Sequence, residues 1–355
     1  MPTGAQAMAC DMGDVNRCIN GAGAVRQLVL EPATLMETLG AFVQQNEDPS
    51  ASPNLDTDAA DDLQPLIRVL GEPAIEDNEP LLLLVLKALK VLSRKYENRI
   101  DFGQAGCEAA VRVLRRVPEK RITAEGCNVV LNICYEKPNV HMFIEAGGIA
   151  TLVARLSEED CDLQANAAGA LQSITFQEKG RTVARDDGAV PLIVELLTHA
   201  NNRVSARAIG ALHNMSTDEE SIRIVRRQGG IPTLIDMLGC PEASICGSAV
   251  GTIQNISREV QSCEILKEHG GIAPLCDLLF ATDVQAQVAA SGALLNIFGH
   301  PTADEDGNYD EATAADVTST ARQALRRLFT SSLVLGLTFN GVFDGDASLH
   351  LPPVS

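Results

Sequence analysis

The sequence predicts an all-α solenoid of stacked three-helix repeats, on three observations. A glycine recurs at a fixed step of 41 residues, at Gly106, Gly147, Gly188, Gly229 and Gly270. A second series, Gly169, Gly210, Gly251 and Gly292, keeps the same step, and four residues after each comes Ser173, Asn214, Asn255 or Asn296. Aromatic residues make up 3% of the 355 residues and Trp is absent. The core is therefore built from Leu, Ile, Val, Ala and Met, a palette that favours helices over sheets. A constant step without insertions means one supersecondary unit stacked on itself.

Each unit reads as three helices. A short first helix such as "SIRIVRRQ" is followed by the first-series glycine, a second helix such as "IPTLIDML", and a long third helix such as "RVSARAIGALHNMS". The intervening glycine permits φ > 0 or a close backbone approach. The array is predicted over 63–299, with "LQPLIRVL" (63–70) as a second helix slightly out of register. Residues 1–62 read as degenerate N-terminal helices ("VRQLVL", "PATLMETLGAFVQQ") followed by an acidic, Pro- and Ser-rich flexible loop. Residues 300–316 read as a second acidic loop, and 317–355 as a C-terminal helix and an irregular tail. The helix "EPLLLLVLKALKVL" (79–92) is apolar nearly all round and predicts burial. Leu84, Lys87 and Val91 stand where later repeats are polar, so the N-terminal segment or a partner should cover this end.

The phrases "EAGGIATLVARL", "QGGIPTLIDML", "AAGALQSI", "IGALHNMS" and "SGALLNIF" resemble the second- and third-helix motifs of the armadillo repeat over residues 79–299. The resemblance implies a right-handed superhelix of about six to seven repeats, five of them regular, with the third helices lining a concave groove.

Setting the Asn position to zero and advancing about 100° per residue brings positions −4, −7 and −11 onto one stripe. The stripe reads Arg121, Glu125, Asn128, Asn132; Asp162, Asn166, Gly169, Ser173; Arg203, Arg207, Gly210, Asn214; Ser244, Ser248, Gly251, Asn255; and Gln285, Ala289, Gly292, Asn296. Positions −2 and +1, such as Leu212 and Met215, are apolar and belong to packing. The Asn amide carries a donor and an acceptor, which suits it to clasp the main chain of an extended peptide. Helices about 8–10 Å apart would give one Asn to every two or three peptide residues, at a rise of about 3.3 Å each. The same amide can bind backbone of the adjacent repeat, and the two uses are compatible. The candidate groove residues are Asn132, Asn166, Arg203, Arg207, Gly210, His213, Asn214, Ser248, Gly251, Asn255, Gly292 and Asn296. With glycine at −4, the groove floor is expected to be open and close to backbone. Nuclear-import armadillo adaptors carry Trp there, so their recognition of basic peptides does not transfer. Arg203 and Arg207 form the one basic rung, suited to an acidic residue or C-terminal carboxylate of a partner, or to pairing with Asp162.

The formal net charge of −19 argues against nucleic-acid and anionic-membrane binding. No segment reaches transmembrane length, no secretory leader opens the chain, and the Met-Pro start gives no lipidation signal, so a cytoplasmic protein is expected. The ten cysteines include no C-x-x-C pair and read as small core residues. Asn214-Met-Ser and Asn255-Ile-Ser match glycosylation sequons, without meaning in a chain that is not secreted. Nucleophile-elbow, zincin and phosphate-loop motifs are absent, and "DEDGNYDE" (304–311) has its glycine misplaced for a calcium loop. Neither cofactor nor metal is expected. The resulting reading is a non-enzymatic scaffold for a protein partner in extended or helical form, part of a larger assembly. Trp-free repeats of this kind resemble structural adaptors, including those of the ciliary axoneme, which would place the chain in the cytoskeleton. The alternatives are a GTPase-binding or ubiquitin-ligase-associated adaptor, or a nuclear transport receptor.

Overall fold

The computed structural model describes residues 10–21, 23–52 and 62–299, and all of its regular structure is helical. Three helices open the chain: α1 (Met12–Gly21), α2 (Val25–Leu30) and α3 (Ala33–Asn46). A two-helix unit follows, α4 (Gln64–Gly71) and α5 (Glu79–Leu92). The first full triplet is α6 (Tyr96–Ile100), α7 (Gly103–Arg116) and α8 (Lys120–Ile133). The second is α9 (Lys137–Glu145), α10 (Gly148–Arg155) and α11 (Cys161–Thr175), and the third α12 (Glu178–Asp186), α13 (Ala189–Leu196) and α14 (Asn202–Met215). The last two are α15 (Glu219–Arg227), α16 (Gly230–Met237) and α17 (Ala243–Ile256), then α18 (Val260–Glu268), α19 (Ile272–Leu278) and α20 (Val284–Gly299). Of the predicted acidic loop at 46–62, residues Pro49–Ala51 form a 3-10 turn. The second acidic loop (300–316) and the C-terminal helix and tail (317–355) lie outside the described residues.

The turn between first and second helices is set by backbone, not by side chains. Gly147, Gly188, Gly229 and Gly270 adopt φ of 72°, 83°, 70° and 73°, a left-handed region in which an L side chain is strained. Gly106 departs from its series: it lies inside α7, and the left-handed residue of that unit is Gly103, at φ 66°. The second helix there starts earlier, and Gly106 is needed for a different reason. A Cβ on it would stand 2.6 Å from the Phe102 ring.

The third helices α5, α8, α11, α14, α17 and α20 stack in order, each against the next, and α3 packs on α5. Their packed sides are those the periodicity assigns. Leu212, Met215, Ile253, Ile256, Leu294 and Ile297 are all fully buried. Each such side chain contributes about 1.5–3 kcal/mol by leaving water. The apolar helix α5 is buried as predicted, and the N-terminal segment covers its free end. Lys87 reaches Glu47 at 3.0 Å, Arg94 donates to the carbonyls of Asn46 and Glu47, and Leu84 is half-buried. No described helix is long and apolar enough to cross a membrane.

A second ladder joins the first helices. Arg185, in the last turn of α12, holds Asp218 at the N-cap of α15, at 2.8 and 2.9 Å. One repeat on, Arg226 holds Glu259 at the N-cap of α18, at 2.9 and 3.1 Å. In both, a cation sits at a helix C-terminus and an anion at the next N-terminus, the arrangement that helix dipoles favour.

Candidate partner-binding groove

The stripe begins with its asparagines. Asn132, Asn214, Asn255 and Asn296 are half-buried, and each turns its amide nitrogen back onto the preceding third helix. Asn214 Nδ2 donates to the Gln172 carbonyl at 2.8 Å. Asn255 donates to the His213 carbonyl (3.4 Å) and the Ser216 hydroxyl (3.0 Å), and Asn296 to the Gln254 carbonyl (3.3 Å) and the Ser257 hydroxyl (3.0 Å). Asn132 does the same with Lys90 and Ser93. The receiving hydroxyl stands two residues beyond the Asn position of its own repeat. This explains the two sequon matches: Ser216 and Ser257 are fully buried and pass the bond on to the carbonyls of His213 and Gln254. The inter-repeat use of the amide therefore occupies its donor side. The amide oxygens of the four asparagines accept no hydrogen bond among the described residues. Nor are they among the fully buried polar atoms without a hydrogen bond, which among the described residues are Asn16 Oδ1, Glu125 Oε2 and Arg155 Nε.

The glycines at −4 require a correction. Gly210, Gly251 and Gly292 were expected to leave an open floor. A Cβ on Gly210 would instead stand 2.4 Å from the Gln172 amide, one on Gly251 2.6 Å from the His213 ring, and one on Gly292 2.4 Å from the Gln254 amide. Each glycine is a seat for the side chain just before the Asn position of the preceding repeat, and the floor is filled. Gly169 seats two side chains, Leu131 from α8 and the Arg207 stem from α14. His213, expected beside the stripe, thus lies across Gly251, and burial holds its imidazole below the ordinary histidine pKa.

Asn166 also departs from expectation. It is buried, its Nδ2 donates to the Ala124 carbonyl at 2.9 Å, and its Oδ1 accepts from Arg203. It supplies α11 with an inter-repeat bond where Ser173 makes none among the described residues, and its amide is taken up on both sides. Arg203 also pairs with Asp162, the alternative the sequence left open. Arg207 is half-buried and makes a single 3.4 Å contact with Gln172 Oε1. Ser248 is half-buried and faces the same cavity as Arg207, a space of about 500 Å³ between α11, α14 and the start of α17. Sequence reasoning missed Gln172 and Gln254, which fill glycine seats, and the buried serines Ser93, Ser216 and Ser257, which receive the asparagine bonds.

Among the described residues no three His, Cys, Asp or Glu side chains cluster to hold a metal. Burial pushes the Cys107 and Cys127 thiols up to about 12 and Cys263 to about 11, so these are packing groups and not nucleophiles.

The family model for armadillo/beta-catenin-like repeats matches residues 137–176, 218–258 and 261–299. Over these residues the chain carries armadillo repeats. The first match spans α9 to α11, the second α15 to α17, and the third α18 to α20. No curated relative matches this chain at a significant level. Among solved structures it is similar to the designed armadillo repeat protein YIII(Dq)4CqI, at 22% identity over 66% of this chain and 100% of that one, with a TM-score of 0.61. It is similar to the designed armadillo repeat protein YIII(Dq.V1)4CPAF, solved in complex with the peptide (KR)4, at 22% identity over 66% and 99%, TM-score 0.59. An engineered protein from the Northeast Structural Genomics Consortium aligns at 22% identity over 92% and 82%, TM-score 0.64. At these identities the likeness is one of fold.

Proposed function

We propose that this armadillo array is a non-enzymatic scaffold that takes an extended segment of a protein partner along its third-helix layer, from α8 to α20. The observation that carries the reading is the set of four asparagine amide oxygens, one on each of α8, α14, α17 and α20, which accept no hydrogen bond among the described residues, on half-buried side chains of a layer whose apolar side is already packed. They are acceptors for the N–H groups of an extended chain. Only half of the clasp first read from the sequence is available, because the donors brace the array. The designed armadillo protein solved with (KR)4 is a precedent for peptide binding by this fold. The basic peptide itself is a poor guide here, since position −4 offers filled glycine seats in place of tryptophan slots.

Affinity capture tests the reading. Partners retained by the wild type should be lost from Asn214→Ala/Asn255→Ala. Those residues also hold the repeats together, so the pair is read beside Ser244→Tyr/Gln285→Tyr, two exposed stripe positions outside the inter-repeat bonds. Retention of the same partners by both variants overturns the groove reading. A place in the ciliary axoneme and the wider cytoskeleton rests on the likeness of Trp-free repeats to axonemal adaptors. Tagged chain spread evenly through the cytoplasm of ciliated cells would remove it.

A further inference from the structure

Arg207 is unlike most of the groove cations: it is half-buried and unpaired, whereas Arg121, the other stripe cation with no carboxylate among the described residues, is exposed. Lys87 has Glu47, Lys90 has Glu125, and Arg203 has Asp162. Arg207 has no carboxylate within 4 Å among the described residues, although the chain carries a net charge of −19. Its guanidinium has five N–H donors, and one long contact with a neutral amide engages a single one. Its stem lies over Gly169, and this directs the head into the cavity of about 500 Å³. Ser248 lines the other side, and its hydroxyl makes no hydrogen bond among the described residues. Glu242 stands at the rim but its carboxylate accepts from Ser244 and lies outside ion-pair distance of Arg207.

We infer that this cavity is a specificity pocket for one acidic side chain, Asp or Glu, of the bound segment, an inference that rests on the groove reading above. A planar carboxylate matches the planar fork of one guanidinium and can take both of its parallel N–H bonds, with the Ser248 hydroxyl as a further donor. A phosphate dianion fits less well. It would call for a second cation, and Arg203 is engaged by Asp162 and Asn166, while Glu242 repels a second negative charge. A chain terminus also fits less well than a side chain, because asparagine oxygens without a hydrogen bond among the described residues continue on both sides of the pocket, at Asn132 and at Asn255. The sign of the pocket opposes that of the whole chain. It therefore selects where an acidic residue sits in a partner and does not attract acidic proteins in general.

The test uses the full chain and a randomised ten-residue peptide library displayed on phage. The wild type should enrich Asp or Glu at one fixed position. Arg207→Glu should invert that position to Lys or Arg while the other positions hold, and Arg207→Lys should keep it acidic. Thermal melting confirms that each variant is folded. Synthetic copies of an enriched peptide with Glu, Gln or phosphoserine at that position are then titrated by fluorescence anisotropy. Glu→Gln in the peptide should weaken wild-type binding about tenfold or more and change binding to Arg207→Gln less than about twofold, as loss of a charge-assisted hydrogen-bond pair requires. Three results overturn the inference: no fixed acidic position, a Glu→Gln loss that persists in Arg207→Gln, or tighter binding of the phosphoserine peptide. A gain in peptide affinity when Asp304, Asp306, Asp310 and Glu311 are neutralised in the full chain also overturns it, since the occupant is then the chain's own acidic segment. Peptides that enrich on the wild type, are lost from Ser244→Tyr/Gln285→Tyr and ignore Arg207 remove the pocket and leave the groove. Peptides that ignore the Ser244→Tyr/Gln285→Tyr pair as well remove both.

Discussion

The first-helix layer and the third-helix layer solve one problem, fastening each repeat to the next, with different chemistry. The first helices use ions: Arg185 to Asp218 and Arg226 to Glu259. The third helices from α14 to α20 use neutral groups, an amide to a carbonyl and a hydroxyl with glycine seats beneath, while ion pairs join α5 to α8 and α11 to α14. Between α14 and α20 no ion pair among the described residues ties up the charges that a ligand meets. Amide bonds hold that part of the stack, so the half-buried Arg207 guanidinium keeps its charge unpaired. The two layers should also respond differently to crowding, salt and acid.

Crowding gives the largest contrast. Alanine at Gly180 of α12 would put a Cβ 2.2 Å from the Ile174 carbonyl oxygen, a backbone atom that cannot swing away. Gly180→Ala should cost about 2–3 kcal/mol in urea unfolding. Alanine at Gly210 meets only the mobile end of Gln172, and alanine in a helix interior gains back about 1 kcal/mol over glycine. Gly210→Ala should therefore stay within about 1 kcal/mol of wild type. Equal losses from the two substitutions would break the distinction between seats of backbone and seats of side chain.

Salt comes next. Asn255→Ala removes two inter-repeat hydrogen bonds and should cost about 1–2 kcal/mol, unchanged between low salt and 1 M. Arg226→Gln should cost about 0.5–1 kcal/mol, and that loss should shrink as the Debye length falls to about 3 Å. Urea midpoints at the two salt concentrations measure both.

Acid separates the layers by pH. Burial would raise the Asp218 carboxyl, but Arg185 and Ser221 hold it below the ordinary range, and Arg226 and Ser262 do the same for Glu259 against its own burial. A depressed carboxylate contributes stability above its unfolded pKa, near 4, and loses it as pH falls through the folded value. His213 acts earlier. Burial lowers its folded pKa, so below about 6.5 the unfolded chain takes a proton that the folded one refuses, and stability falls with pH. His213→Gln installs the residue found at the equivalent seats, Gln172 and Gln254, and should flatten the fall of the melting temperature as pH drops below about 6.5. A parallel slope in both proteins would locate the acid sensitivity elsewhere.

Most of the fold was legible because a 41-residue step constrains every unit at once, and the packed positions Leu212, Ile253 and Leu294 follow from one helical period. The glycine seats were not. The pairs that fill them, Gln172 with Gly210 and His213 with Gly251, lie thirty-eight residues apart on neighbouring helices. A single helical wheel shows where Gly210 points, and only the register between helices shows what meets it. The same gap hid the asparagine-to-serine bond, although its separation of 39 repeats three times along the array. Gly106 was misread for the opposite reason: its place in the series was kept while the turn moved to Gly103.

The amide ladder has a direction. Among the described residues it opens at α5, where Ser93 receives a bond but Val91 offers none, and its last step is at α20, where Asn296 gives a bond but Phe298 stands where the receiving serine would be. A unit such as 218–258 carries one half of each joint: its own donor facing backward and its own receiver facing forward. Copying such a unit in tandem adds a complete joint, and deleting one heals the cut, with no orphaned group at the seam. The array can thus be lengthened or shortened in whole steps, and its reach along a partner is adjustable by simple duplication.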